Sequence, residues 1–237
     1  MQGPRINGEA LVPATEIFRR LLRFDTSNPP GDEAACVAWI ADLLRQSGIE
    51  SRILARDDRR PNLIARLPGS GATQPLLVYG HLDVVPAAEP GWRHPPFGGE
   101  LVDGDVWGRG ALDMKAGVAM YLHALLRLTR GEKPPGDVIL VLTSDEETGS
   151  ELGARFLVEE HPEVFEGVRY ALSELGGFTR WVGGHALYPI QVAEKQACVV
   201  RATVRGASGH GSTIVEPCPI GSANRARSTS SPPAGAG

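Results

Sequence analysis

Histidine and carboxylate side chains follow several apolar runs of this sequence, at positions where buried strands usually end in simple turn residues. His81 and Asp83 come directly after the run PLLVYG, and three acids follow the run VILVLTS. Asp113 lies in the glycine-rich loop WGRGALDMK, and the other side chains placed after apolar runs are His81, Asp83, Asp145, Glu146, Glu147 and Glu174. Histidine and carboxylates in three or four ligand positions suit zinc, with water in an open position. An acid positioned beside a metal-bound water is a natural general base.

Two adjacent glutamates after one strand favour two separate roles. Adjacent side chains of an extended segment point in opposite directions, so one of Glu146 and Glu147 can bind a metal while the other faces a different part of the cleft. Two like charges side by side are costly unless a positive charge lies between them. Asp83, two residues beyond His81, can accept the second imidazole N–H and fix the orientation of the ring.

Each of these residues also has an ordinary structural explanation when it is taken alone. A histidine after a strand is commonly a polar turn residue, and the acids of SDEETGSE suit the positive end of a helix dipole. Asp113 could cap a helix, and Glu174 could be a solvated strand end. An acidic calcium-binding module is a weaker alternative, because SDEETGSE lacks the glycine and the alternating oxygen ligands of an EF-hand loop.

The elements that must position these side chains alternate between strands and helices. The sequence predicts helices over 16–24, 33–48, 114–131 and 150–161, and strands over 49–55, 62–68, 75–80, 136–144 and 168–175. The runs PLLVYG and VILVL are continuously apolar, as expected of strands that are buried on both faces. This alternation predicts an α/β domain with a largely parallel central sheet, whose ligand sites lie in the loops beyond the carboxyl ends of the strands.

Composition and charge exclude several classes of partner. The net charge of −4 gives no reason to expect nucleic acid or an anionic membrane surface. No apolar run approaches the ~20 residues that a membrane helix needs, and the N-terminal segment does not resemble a secretory signal. The three scattered cysteines fit free thiols in a reducing cytosol. We therefore expect a cytoplasmic protein with neither a nucleic-acid nor a membrane partner.

Five motifs occur in a fixed order along residues 12–215 and together resemble one enzyme family. They are GHLDVVP, WGRGALDMKAG, SDEETGS, ALSELGG and VRGASGHGS. The chain resembles the di-zinc exopeptidases and amidohydrolases that include aminoacylase, acetylornithine deacetylase, succinyl-diaminopimelate desuccinylase and glutamate carboxypeptidases. The resemblance implies a three-layer α/β catalytic domain and a small ferredoxin-like lid domain. It also implies a metallopeptidase or amidohydrolase that cleaves an amide or peptide bond of an N-acyl amino acid or small peptide.

The resemblance further implies a set of metal ligands. His81 and Glu174 would hold one zinc, Glu147 would hold a second, and Asp113 would bridge the two. The family uses two zinc ions per site, for which cobalt or manganese can substitute.

The resemblance assigns catalytic roles to three other residues. Asp83 would orient His81, and Glu146 would take a proton from the attacking water and pass it to the leaving amine. His210, in the motif GASGHGS, would stabilise the oxyanion from the lid domain, often in the site of a partner subunit. The family forms homodimers through this lid. A plain loop residue in a glycine-rich turn is the alternative interpretation of His210.

The domain organisation departs from the family pattern near the C-terminus. We expect the catalytic domain over 1–195, the start of the lid over 196–215, and a low-complexity, disordered tail over 216–237. The family supplies a late zinc-binding histidine after the lid, whereas no histidine follows His210 here. The sequence therefore looks C-terminally truncated or frameshifted.

This departure leaves a second functional hypothesis open. The chain could be a catalytically impaired remnant that binds at most one metal through three residues, His81, Asp113 and Glu174. Two residues beside the metal loop, Arg109 and Lys115, could meet a substrate carboxylate or pair with local acids instead.

Overall fold

Helices and strands alternate along the chain in the computed structural model, which describes residues 5–6, 9–87, 91–174 and 179–190. The helices are α1 (Ala14–Leu22), α2 (Ala34–Gln46), α3 (Lys115–Leu128) and α4 (Ala154–Glu160), with 3₁₀ turns at Glu146–Thr148 and Pro162–Phe165. The strands are β1 (Arg5–Ile6), β2 (Glu9–Ala10), β3 (Ser51–Leu54), β4 (Asn62–Leu67), β5 (Leu76–His81), β6 (Glu100–Val102), β7 (Asp105–Trp107), β8 (Val138–Thr143), β9 (Tyr170–Leu172), β10 (Arg180–Val182) and β11 (His185–Leu187). The described residues belong to one compact unit.

Five strands form the central sheet, in the order β3-β4-β8-β5-β9. Strand β5 pairs in parallel with both β8 and β9, whereas β4 is antiparallel to β8 and to β3. Four of the five strands therefore run in the same direction, and the predicted α/β sheet with parallel central strands is confirmed. His81 lies beside Thr143 in the β5–β8 register, so both strands end at the same edge of the sheet.

Three helices cover one face of this sheet. Alternate residues of the central strands point to this face, among them Leu63 and Ala65 of β4 and Leu140 and Leu142 of β8. The helices contribute Ile17 and Leu21 from α1, Val37, Ile40 and Leu44 from α2, and Val118, Leu122 and Leu125 from α3. Full burial of each large aliphatic side chain stabilises the fold by about 1.5–3 kcal/mol, so this layer is the main hydrophobic core.

A smaller layer covers the opposite face. Ile64, Ile139 and Val141, the intervening strand residues, pack there against Phe156 and Leu157 of α4. All six residues of β8 are buried because this strand has a covered face on each side, as its continuous apolar sequence predicted. The result is the expected three-layer arrangement of helices, sheet and helices.

Three short antiparallel pairs among the described residues, β1–β2, β6–β7 and β10–β11, were not predicted from the sequence. Strands β6 and β7 pair around Asp103 and Gly104, both of which have positive φ, and β10 and β11 pair around Gly183 and Gly184. An Asp-Gly pair is a strong signal for a tight hairpin turn because both central positions need positive φ. The sequence thus carried a usable signal at Asp103 that the strand prediction did not use.

Several predictions fall outside the described residues. These are the start of the lid over 196–215, the tail over 216–237, and His210. Within the described ranges, no helix combines the length and apolarity that crossing a membrane requires.

Candidate metal centre

His81 ends strand β5 and faces two carboxylates across the edge of the sheet. Its ring is almost fully buried, and its Nε2 lies 2.9 Å from Oδ1 of Asp113 and 3.3 Å from Oε2 of Glu174. Its Nδ1 lies 2.9 Å from the backbone carbonyl oxygen of Asp83 and 3.4 Å from Oδ1 of that residue. The buried ring is therefore held from one side and presents Nε2 to the two acids on the other.

Three of the residues singled out from the sequence form a group that could hold a metal ion. One ligand atom from each of His81, Asp113 and Glu174 lies within 4.8 Å of the other two. Asp113 precedes α3, and Glu174 follows β9, so three separate segments supply the group. One imidazole nitrogen and two carboxylate oxygens are a donor set that zinc binds, which leaves a coordination position for water.

The electrostatics of the surrounding acids fit a cation at this place. Burial and the charges of neighbouring acids raise the pKa values of Glu146, Glu147 and Glu174. For Glu147 the acid with the largest effect is Asp113. The charge of His81 opposes the shift in all three glutamates. For His81, burial alone lowers the pKa, but Asp83 and then Asp113 raise it to about 10. Such shifts mark a concentration of negative charge that a bound divalent cation would relieve.

Asp83 connects the loop after β5 with the turn after β8. Its buried carboxylate accepts the backbone N–H of Glu146 at 3.1 Å and that of Glu147 at 3.0 Å. Burial opposes ionisation, but the hydrogen bonds from His81, Asn28 and Glu147 lower the pKa of Asp83. Asp83 is therefore an ionised anchor for both the imidazole and the two glutamates.

Glu146 and Glu147 begin a 3₁₀ turn rather than an extended segment. The alternation of side chains assumed for a strand end is thus wrong here, because Asp145 takes a left-handed conformation with φ of 68° and turns the chain out of β8. Among the described residues, the metal-ligating group does not include Glu147. The structure brings both glutamates to the acidic edge of the sheet through their backbone N–H groups.

Of the two basic residues near the metal loop, only one remains accessible. Lys115 is fully buried and donates to the backbone carbonyl of Phe24 at 2.8 Å, so the suggestion that it meets a substrate is wrong. Arg109 stacks over Trp92, with 5.2 Å from Cζ to the ring centroid. It lines an open cavity of about 380 Å³ that also reaches Asp113.

Asn28 is a site residue that the sequence analysis missed. Its buried Nδ2 lies 2.8 Å from Oδ2 of Asp83, 2.9 Å from Oγ1 of Thr148 and 3.3 Å from Oδ1 of Asp145. Asn28 lies in the segment DTSNPPGD, whose two prolines and glycine predict only a loop. No pattern of polarity distinguishes a buried loop asparagine from a solvated one.

Comparison with known proteins shows the family to which the chain belongs. Residues 77–215, more than half of the chain, match the peptidase family M20/M25/M40. The chain is 40% identical over 146 residues to succinyl-diaminopimelate desuccinylase of Paracoccus denitrificans, covering 61% of this chain and 37% of that protein. It is 32% identical over 209 residues to aminoacylase-1 of Sus scrofa, covering 86% of this chain and 50% of that protein. The chain thus spans half or less of the length of these relatives.

Solved structures share the fold of the described unit. Human carnosine dipeptidase 1 aligns with a TM-score of 0.57 at 24% identity, covering 68% of this chain and 37% of that one. The M20 family metallo-carboxypeptidase Sso-CP2 of Sulfolobus solfataricus aligns with a TM-score of 0.59 at 20% identity, covering 67% and 37%. The family match covers residues 77–215, and the ordered acids and histidine at the ends of the parallel strands are consistent with it. The chain therefore belongs to the peptidase family M20/M25/M40.

Proposed function

We propose that this chain carries the catalytic half of a metal-dependent hydrolase that cleaves the amide bond of an N-acyl amino acid or small peptide. The convergence of His81 Nε2 with the carboxylates of Asp113 and Glu174 is the observation that carries the proposal. The named relatives, a desuccinylase and an aminoacylase, support an acyl–amide substrate. These relatives do not favour the alternative of a non-catalytic remnant.

His81, Asp113 and Glu174 are the residues that would hold the first metal ion, and Glu147 and Asp113 would contribute to a second. When bound, a divalent metal supplies Lewis acidity toward the amide carbonyl and lowers the pKa of water. The mixed nitrogen and oxygen donors suit zinc, with cobalt or manganese as substitutes. Asp83 keeps the imidazole of His81 oriented, because it meets Nδ1 while Nε2 faces the acids.

Glu146 is the proposed general base. Two observations support this role: its backbone N–H is bound by Asp83, and its carboxylate interacts electrostatically with His81, Asp113 and Glu174 without being one of the three converging residues. It would accept the proton of the attacking water and deliver it to the leaving nitrogen. His210 remains the proposed oxyanion residue of the lid, and dimerisation through that lid remains a prediction.

The test uses the full chain, stripped with a chelator and reloaded with Zn²⁺ or Co²⁺. Hydrolysis of N-acetyl and N-succinyl amino acids and of dipeptides is measured, together with the number of metal ions bound. We expect amide hydrolysis that disappears in Glu146→Gln while metal binding persists, because the amide cannot accept the proton. A folded, metal-loaded wild-type chain that cleaves none of these substrates would contradict the proposal.

A further inference from the structure

A group of buried charges lies behind the acidic cluster and contains none of the proposed metal ligands. Glu33 is 0% exposed, and Arg60 and Asp145 are each 6% exposed. They come from the start of α2, from the turn before β4 and from the end of β8, so the tertiary fold has gathered them. Buried charges are costly unless each is paired and hydrogen-bonded, so such a group needs a reason.

Arg60 is the centre of this group. Its Nε donates to Oε2 of Glu33 at 2.7 Å, its Nη1 to the backbone carbonyl of Pro30 at 3.1 Å, and its Nη2 contacts Oδ1 of Asp145 at 3.4 Å. A planar guanidinium can make these three contacts at once, whereas the compact ammonium of lysine cannot reproduce the fork. Gly31 leaves room for it, because a Cβ at that position would fall 2.1 Å from Cζ of Arg60.

Asp145 transmits this arrangement to the turn that carries the glutamates. Its Oδ1 accepts from the hydroxyl of Thr148 at 2.6 Å, and its Oδ2 accepts from the backbone N–H of Leu152 at 3.0 Å. Its backbone has a φ of 68°, a conformation that non-glycine residues seldom adopt unless the surrounding contacts impose it. Asp145 therefore fixes both ends of the segment that begins at Glu146.

Asn28 links the same segment to Asp83. Its side-chain amide lies within hydrogen-bonding distance of Asp83, Thr148 and Asp145. The contacts from Glu33 through Arg60 to Asp145 are thus joined to Asp83 in one buried network. Asp83 is the carboxylate that accepts the backbone N–H groups of Glu146 and Glu147.

We propose that Glu33 and Arg60 are positioning residues, which hold Asp145 so that the turn beyond it aims Glu146 and Glu147 at the metal centre. The inference rests on the proposed function for its catalytic consequence. Neither residue contacts the converging ligands, so both act through Asp145. The positioning requires the three simultaneous hydrogen bonds of the guanidinium, and a positive charge alone is not sufficient.

Three variants of the full chain test this proposal. The double variant Glu33→Met with Arg60→Met replaces the buried ion pair with apolar side chains of similar volume, an exchange that proteins often tolerate without losing stability. Arg60→Lys keeps the charge and removes the fork, and Gly31→Ala pushes the guanidinium aside. Arg59→Met is the matched control, because that neighbouring arginine makes an exposed pair with Asp32 at 3.3 Å.

Each protein is compared by thermal unfolding, by hydrogen exchange of the peptide 144–152, by Co²⁺ titration, and by kcat and KM in the Co²⁺-loaded form. In Arg60→Lys and in the double variant we expect exchange in 144–152 to accelerate by about tenfold or more. Loss of such supporting contacts typically costs about 10–100-fold, which we expect in kcat with KM nearly unchanged. Arg59→Met should match wild type in all four measurements.

Several results would overturn the inference. Folded variants with wild-type exchange in 144–152 and wild-type kcat would show that the pair positions nothing. Wild-type behaviour of Arg60→Lys would show that charge suffices, and faster exchange across the whole sheet would indicate a general structural role. If Gly31→Ala and the other variants all fail to fold, the pair serves folding and not positioning. A wild-type chain without hydrolysis would refute the proposed function, whereas hydrogen exchange in 144–152 would still decide this inference.

Discussion

The Nε2 atom of His81 lies 2.9 Å from Oδ1 of Asp113, although 32 positions separate the two residues in the chain. His81 is 1% exposed at its side chain and Asp113 is 67% exposed, so a buried base meets a carboxylate at the solvent boundary. The two atoms are ligand candidates of the proposed metal centre, and Oε2 of Glu174, 3.3 Å from the same Nε2, is the third.

Replacement of His81 by alanine should abolish tight metal binding. The imidazole is the nitrogen donor of the converging group, and even the loss of a residue that only supports a ligand costs about 10–100-fold in affinity. We therefore expect the Zn²⁺ dissociation constant to rise by at least about 100-fold in a chelator-competition titration. His123→Ala is the control. His123 lies on α3, and its Nδ1 lies within hydrogen-bonding distance of the backbone oxygen of Val12. Equal affinities in the two variants would exclude His81 as a ligand.

The Asp83→Asn variant should lose stability as well as metal affinity. The buried carboxylate accepts N–H groups from both Glu146 and Glu147, and the amide of asparagine would turn a donor toward one of them. An unsatisfied buried donor costs about 1–3 kcal/mol, and more where a charge is involved. Urea unfolding should therefore show a loss of about 2–4 kcal/mol. Asp32→Asn, at an exposed ion pair, should stay within about 0.5 kcal/mol of wild type.

Stability should depend on pH through Glu33. Burial raises the pKa of Glu33 to about 7, although the hydrogen bond from Arg60 opposes the shift. Because the folded state then binds the proton more tightly than the unfolded state, this contribution is fully present below about pH 4.5 and is lost as the pH rises through about 7. Relative to Glu33→Gln, wild type should lose on the order of 3 kcal/mol across this window, at about 1.4 kcal/mol per pKa unit.

Urea unfolding of wild type and Glu33→Gln at several pH values between 4.5 and 8 measures this difference. Subtracting the two unfolding free energies cancels the contributions of the other titrating groups, because Glu33→Gln leaves Arg60 and Asp83 in the same positions. A difference in stability that stays constant over the range would contradict the shift assigned to Glu33.

Gly153→Ala should disturb the turn that follows β8. A Cβ at Gly153 would fall 2.0 Å from the backbone oxygen of Ser144, so the backbone itself must move. Overpacking of this kind typically costs about 1–3 kcal/mol. Gly91→Ala is the control, because a Cβ there meets nothing within 4 Å. Thermal unfolding should separate the two variants by several degrees, and a neutral Gly153→Ala would show that the 144–153 segment relaxes freely.

The sequence predicted the central strands well because their burial follows directly from their composition. Strand β8 is apolar at nearly every position and is covered on both faces, and the helix α3, predicted over 114–131, extends over Lys115–Leu128. The ends of elements were less accurate. The strand predicted over 168–175 extends only over Tyr170–Leu172, and the helix predicted from 150 begins at Ala154 because positive φ at Gly149 and Ser150 delays it.

The convergence of three site residues was also predictable in part. Parallel strands end at the same edge of a sheet, so His81, Asp113 and Glu174 were expected to meet there. The conformation of Glu146 and Glu147 was not, because it depends on the left-handed backbone of Asp145 and on contacts with distant segments. The part of the prediction that concerns His210 lies outside the described residues.

Arg59 and Arg60 separate what the sequence determined from what the tertiary structure decided. The sequence alone determined the α/β architecture and the strand ends that carry the acids, because periodicity and apolar runs record which surfaces must leave water. In the run RDDRRP the two adjacent arginines are equivalent, yet the side chain of Arg59 is 60% exposed and that of Arg60 is 7% exposed. Burying a guanidinium requires acceptors in the right places, and those of Arg60 come from Glu33 and Asp145, which lie 27 and 85 positions away. Only the folded chain brings these groups together, and so only the tertiary structure could distinguish the buried arginine from its neighbour.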